Sequence, residues 1–213
     1  MWIFDLDGTL VDSVGQIGYS INRARSDFGY EDLTSERIME LVGLPIQNFL
    51  SDLLIDKYEI DSLISHFREI LKHEIERENI VFPGVELFLS KLHKNGFKLA
   101  IATSKPTYLA ELVVRNSCLN KFISLVQGTD GFPAKPDPTC LLMVMESLGV
   151  GEAIMVGDRV EDMLAARAAG IDSIGIANSF HDTQALKFAG AVHVFDSFLD
   201  FANSQEIRNL LID

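Results

Sequence analysis

Between positions 98 and 195 the chain repeats one arrangement: a short apolar run, a stretch with helical spacing, then another apolar run. The runs at 98–102, 123–126, 153–156, 173–176 and 192–195 are too short for buried helices. At 99–102 and 153–156 they are also too continuously apolar for strands with one wet face. Between them, 106–115, 137–148, 160–169 and 183–188 read as helices, and Gly170 stands where the third should stop. Strands buried on both faces and joined by helices predict a parallel sheet covered on both sides, since each parallel return needs a crossover long enough to hold a helix.

The run at 2–4 belongs with those strands, although a long segment separates it from them. Over 14–79 no strand signal appears. Ile17, Ile21, Ala24 and Phe28 recur at helical spacing, and Gly29 ends that helix. A second helix starts at Thr34 and breaks at Gly43-Leu44-Pro45, a third resumes over 46–54, and 60–78 carries Leu63, Phe67, Ile70, Leu71 and Ile75 on one face. Residues 1–13 and 81–213 are thus read as one α/β domain with a Rossmann-like parallel sheet, and 14–80 as a helical domain inserted after the first strand. A further helix is expected at 85–95.

Composition narrows the partners. A length of 213 residues, 47% of them hydrophobic, suffices for one core and a smaller appended unit. The net charge of −13 argues against nucleic acid or an anionic membrane, because the overall field repels phosphates. A small phosphorylated ligand would then need local cations. Cys118 and Cys140 are too few for a disulfide framework or a zinc cluster. The chain starts in its first strand, without a basic leader, and has no run of membrane-spanning length, so a cytoplasmic protein, monomer or homodimer, is expected.

In an open parallel sheet, chemistry collects beyond the carboxyl ends of the strands. The first strand delivers Asp5 and Asp7 to one side. Such a pair can hold a divalent cation, or one acid can attack an electrophile while the other handles protons. Gly8 lets the backbone approach an anion closely. The strand ending at Ala102 leads into Thr103 and Ser104, a hydroxyl and amides able either to bind phosphate or simply to cap a helix. Lys135 lies between small and rigid residues that would aim it inward, though a loop lysine is commonly solvated. Asp158 stands at another strand tip and Asp162 one helical turn on, where an acid can also serve only the helix dipole. The five histidines show no metal-ligand spacing, and surface or partly buried placement explains them more cheaply than catalysis; His181, in a short loop after a strand, is the one that could instead line the crevice.

Taken in order, Asp5-x-Asp7-Gly8-Thr9, Thr103, Lys135 and Gly157-Asp158-x-x-x-Asp162 resemble the four motifs of the haloacid dehalogenase (HAD) superfamily of hydrolases. The subgroup resembled carries a helical cap of the C1 type after its first strand. Residues 4–13, Val42-Gly43-Leu44-Pro45, 102–106 and 134–138 look most like its phosphoglycolate phosphatase-like members. The resemblance implies Asp5 as nucleophile forming an aspartyl-phosphate, and Asp7 as general acid, then base. It implies Mg²⁺ held by the Asp5 carboxylate, the Asp7 carbonyl, Asp158 and Asp162. Thr103, the Ser104 amide, Lys135 and the Gly8 loop would grip the phosphoryl group of a small phosphorylated metabolite.

In that scheme residues 14–80 form the cap, hinged near 12–15 and 79–83, and select the substrate. The Gly43-Leu44-Pro45 loop is either part of that selection or a plain helix break. Gln16, Ser20 and Arg23 either face the crevice or form a solvated face. Arg159 stands where many relatives carry serine. A phosphosugar mutase of the β-phosphoglucomutase kind would share every core residue, and a catalytically silent binding protein is the alternative from another class. A dehalogenase fits less well, because that chemistry needs no general acid or metal and this chain keeps Asp7, Asp158 and Lys135.

Overall fold

The computed structural model describes residues 1–52, 58–178 and 182–210. Six strands, β1 (Trp2–Phe4), β4 (Leu99–Ala102), β5 (Leu125–Gln127), β6 (Ile154–Gly157), β7 (Asp172–Ile176) and β8 (His193–Phe195), form one parallel sheet in the order β5-β4-β1-β6-β7-β8. Alternation along the central strands loads both faces. Trp2 and Phe4, Leu99 and Ile101, and Ile154 and Val156 join one apolar cluster, whereas Ile3, Ala100, Ala102 and Met155 join another. Over the first face lie α5 (Val85–Lys94), α6 (Thr107–Asn116) and α10 (Phe198–Asn203); over the second lie α7 (Thr139–Leu148) and α8 (Val160–Ala169). The short α9 (Thr183–Ala189) packs on Met163 at the β8 end, and α11 (Gln205–Leu210) follows α10.

The segment after β1 is helical, as its spacing predicts. It holds α1 (Val14–Asp27), α2 (Ser35–Leu41), α3 (Ile46–Asp52) and α4 (Ile60–Arg77). Thr34 caps α2 by accepting the Arg37 amide at 3.4 Å. Ile17, Ile21 and Ala24 of α1 and Leu63, Phe67 and Leu71 of α4 belong to the same cluster as α5 and α6, so the apolar core runs unbroken from the sheet into these helices. Asn116 of α6 also donates to the Ile75 carbonyl of α4 at 3.2 Å.

The β2–β3 ribbon, α10 and α11 escape the sequence pattern. Where the chain passes from sheet to helices and back, β2 (Val11–Asp12) and β3 (Ile80–Val81) pair antiparallel. Strands of two residues leave no periodic trace. The C-terminal α10 supplies Phe201, whose ring sits 4.7 Å from that of Phe88 and 6.2 Å from that of Trp2. Among the described residues no helix is long and apolar enough to cross a membrane.

Candidate active site

The sheet register gathers the candidate residues. Phe4 pairs with Ile101 on one side and Val156 on the other, so Asp5, Thr103 and Asp158 emerge from one edge of three adjacent strands. At β1 the strand order also reverses direction, and this opens a crevice beyond the carboxyl ends.

After Phe4 the backbone turns tightly, with the Leu6 carbonyl accepting the amides of Leu10 at 3.0 Å and Val11 at 3.1 Å. Gly8 adopts φ +84°, and a Cβ there would stand 2.3 Å from Asp158 Oδ2. Glycine is therefore required twice over, for the left-handed backbone and for the room Asp158 occupies. The Gly8 amide donates to the Val11 carbonyl at 2.9 Å, so it is engaged within the turn and what Gly8 gives the site is space. Thr9 Oγ1 donates to Asp158 Oδ1 at 2.6 Å.

Asp5, Asp158 and Asp162 are all buried, and each offers a carboxylate oxygen within 4.8 Å of the others. Lys135, arriving from the loop after β5, donates to Asp5 Oδ1 at 2.8 Å, reaches Asp162 Oδ1 at 2.5 Å and donates to the Ala102 carbonyl at 3.0 Å. Its ammonium is buried, not solvated. Burial pushes the Asp5 carboxyl up to about 8, with Asp162 and Asp158 adding to the shift and Lys135 opposing it. Burial acts against the Lys135 charge too, yet Asp162 and Asp5 outweigh it and hold that ammonium above the ordinary lysine range. Asp162 serves two ends at once: Oδ1 faces Lys135, while Oδ2 accepts the Arg159 amide at 3.0 Å at the start of α8. A Cβ on Gly157 would lie 2.3 Å from that same Oδ2, so this glycine too is there for clearance.

The Asp7 carboxylate stands outside this trio. Lys105 Nζ donates to its Oδ1 at 2.9 Å, and both side chains are buried. Lys105 is a site residue that sequence reasoning passed over, because nothing in its local pattern distinguishes it from a solvated loop lysine. Asn178 is another; it donates to the Gly8 carbonyl at 2.5 Å and accepts the Phe198 amide at 3.2 Å, tying the acidic turn to α10. Thr103 is buried, and its hydroxyl accepts the Lys105 amide at 3.3 Å. Helix α6 starts only at Thr107, so neither Thr103 nor Ser104 caps it. Among the described residues the Ser104 amide has no hydrogen-bond partner.

A cavity of about 480 Å³ joins these residues to the inserted helices. Asp7, Ser104, Lys105 and Lys135 line one wall, and Leu44, Pro45, Phe67 and Arg68 the other. Gln16, Ser20 and Arg23 do not line it: Gln16 donates to the Glu78 carbonyl, Ser20 to the Gln16 carbonyl at 2.7 Å, and Arg23 pairs with Asp27 at 3.1 Å. Arg159 is partly buried and does not line the cavity; its Nη1 donates to the Val42 carbonyl at 2.8 Å. His181 lies outside the described residues.

Comparison with known proteins follows the same outline. A family model described as haloacid dehalogenase-like hydrolase matches residues 2–176. The chain is 33% identical over 193 residues to a phosphoglycolate phosphatase of Vibrio cholerae, with 84% of each chain covered. To a phosphoglycolate phosphatase of Psychrobacter arcticus it is 29% identical over 209 residues, covering 92% of this chain and 91% of the relative. Among solved structures it superposes on a "predicted phosphatase" from Clostridium acetobutylicum with a TM-score of 0.87 and 30% identity, covering 98% of this chain and 97% of that one.

Proposed function

Because the chain belongs to the haloacid dehalogenase-like hydrolases and is by that kinship a phosphoric monoester hydrolase, we propose that it is a Mg²⁺-dependent phosphatase. Its substrate would be a small phosphomonoester of the phosphoglycolate type, split through an aspartyl-phosphate on Asp5. The observation that carries this reading is the convergence of Asp5, Asp158, Asp162 and Lys135 at one edge of the sheet, beside a cavity that Lys135 and Asp7 line.

The donors suit a hard divalent cation. Three buried carboxylates crowd together against one ammonium, and oxygen-only ligands of this kind select Mg²⁺ or Ca²⁺ over softer metals. Asp5, Asp158 and Asp162 would hold it, with the Asp7 carbonyl completing the protein's share. When bound, Mg²⁺ neutralises charge on the phosphoryl oxygens and helps align them.

An Asp5 oxygen attacks phosphorus and the bond to the ester oxygen breaks, while Asp7 gives that oxygen its proton. Water then attacks the same phosphorus, Asp7 takes the water's proton, the bond to Asp5 breaks and phosphate leaves. Lys105 holds Asp7 Oδ1 in place for both transfers. Thr103, the Ser104 amide and Lys135 bind the phosphoryl oxygens, where positioning and charge stabilisation supply most of the acceleration. Residues 14–80 act as a cap over residues 1–13 and 81–213 and exclude bulk water, with the β2–β3 ribbon at the hinge.

The test is phosphate release from a panel of phosphoglycolate, sugar phosphates, nucleotides and pyrophosphate, with Mg²⁺ and with EDTA. Release should need the cation and fall on the order of a thousandfold or more in Asp5→Asn. Full turnover by Asp5→Asn would dispose of the covalent intermediate.

A further inference from the structure

Among the described residues, one cation in the cavity wall has no acid of its own. Helix α4 turns Phe67, Arg68 and Leu71 toward the same cavity that Asp7, Ser104 and Lys105 line from the other side. Lys105 is engaged by Asp7, and Lys135 by Asp5 and Asp162. Among the described residues Arg68 forms no ion pair, and its Nε is buried without any hydrogen-bond partner. Arg68 as a whole is only partly buried, but a buried donor left unmatched is unfavourable, and this Nε, on a side chain that lines the cavity, can be matched by an acceptor from inside it.

The acceptor's chemistry follows from the walls. The chain's net charge is −13, so an arginine with no acidic partner at a cavity is conspicuous against its background. Ile17, Leu41, Phe67, Leu71 and Leu109 make much of the lining apolar. The volume, about 480 Å³, lies toward the lower part of the range of roughly 300–1,000 Å³ that small-molecule sites span. A compact ligand with an anion at each end fits this description: the phosphoryl end at the carboxyl edge of the sheet, the second anion at α4. A planar guanidinium pairs with a carboxylate through two parallel N–H donors, which a lysine cannot do.

We propose that Arg68 is a specificity-determining residue that binds the carboxylate of a phosphorylated hydroxy acid. The inference rests on the phosphatase reading for where the phosphoryl end lies. It adds what that reading lacks, a residue in the helical insert that separates carboxylated phosphoesters from neutral ones.

The experiment compares phosphate release from phosphoglycolate and from ethyl phosphate, close in size but without the carboxylate, by the wild type, Arg68→Gln and Arg68→Lys. The ratio of kcat/KM for phosphoglycolate to that for ethyl phosphate should fall roughly ten- to a hundredfold in Arg68→Gln, chiefly through KM. Arg68→Lys should recover part of it. An unchanged ratio, whether both rates persist or both fall together, overturns the inference and leaves the phosphatase reading standing. Arg68→Lys keeps both the charge and the aliphatic stem and loses only the planar fork, so it separates the paired N–H geometry from charge and packing together. If the wild type turns over neither ester, the phosphatase reading fails, and the same two esters are titrated calorimetrically into wild type and Arg68→Gln. A preference for phosphoglycolate that vanishes in the variant upholds the role of Arg68; equal binding, or none, overturns it.

Discussion

Asp5 is the residue on which burial and charge compete most openly. In the cation-free protein its carboxyl is pushed up to about 8 from an ordinary 3.8, burial being the largest cause. Between those values the folded chain binds a proton that the unfolded chain does not. The stability contributed by this group is thus present at the acid end and lost as pH rises toward 8. A cation needs the ionised form, so Mg²⁺ binding strengthens over the same window and displaces a proton. Thermal melts in EDTA should show the wild type losing ground to Asp5→Asn from about pH 5 to 8, and regaining it with Mg²⁺ present. A constant difference in EDTA would mean that Asp5 is ionised throughout. Gly8→Ala probes the same volume by shape: left-handed strain of roughly 1–2 kcal/mol adds to the overlap with Asp158. It should lower stability in denaturant melts and shrink the gain in Tm that Mg²⁺ gives the wild type. Asp5, Asp158 and Thr103 were legible in the sequence because each follows a strand end, and strand ends are what apolar runs reveal. Lys105 and Asn178 were not, since each acts on a partner brought near only by the fold; Asn178 meets Gly8 across 170 positions, and Thr9, though part of the first motif, meets Asp158 across 149.

Up to β8, helices and strands longer than two residues were read from their apolar faces, whereas α10 and α11 were not. The ribbon of β2 and β3 was missed for its length, whereas α10 had a signal that went unread: Ser197 with Asp200 three positions on, and Phe198 with Phe201. Ser197 Oγ does accept the Asp200 amide, at 3.1 Å. Between elements, the contact least visible in sequence is Arg159, at the start of α8, with the end of α2. Its Nη1 holds the Val42 carbonyl at 2.8 Å, its Nε sits 3.2 Å from Glu161, and Gly43, at φ +84°, leaves the space its Cδ fills. A charge-assisted bond of this kind contributes about 1.5–3 kcal/mol. Arg159→Ala should therefore raise amide exchange at Val42 and Leu44 by about tenfold or more, with α1 and α5 unchanged. Faster exchange throughout the chain would show instead that Arg159 supports the whole fold.

Over the whole molecule the sequence discloses the sign of the field and not its detail. A net charge of −13 spreads a negative potential, while the cations that matter, Lys105, Lys135 and Arg68, come together only when the loops after β4 and β5 meet α4. These two scales make opposite demands on the two ligands proposed here. Mg²⁺ is drawn by the net charge and then held by carboxylates, so screening weakens it at both stages. A phosphoester dianion is repelled at a distance and attracted only inside the cavity, where salt penetrates least. Raising ionic strength from about 0.01 to 0.1 M shortens the screening length from about 30 to about 10 Å, less than the span of the molecule but more than that of the site. The Kd for Mg²⁺ should rise several-fold over this range. At saturating Mg²⁺, kcat/KM for the phosphoester should stay level or increase, because the repulsive far field is removed while the local cations remain. If it fell in step with Mg²⁺ affinity, the local cations would be reaching beyond the cavity mouth, and capture of substrate would be governed by them rather than by the charge of the chain as a whole.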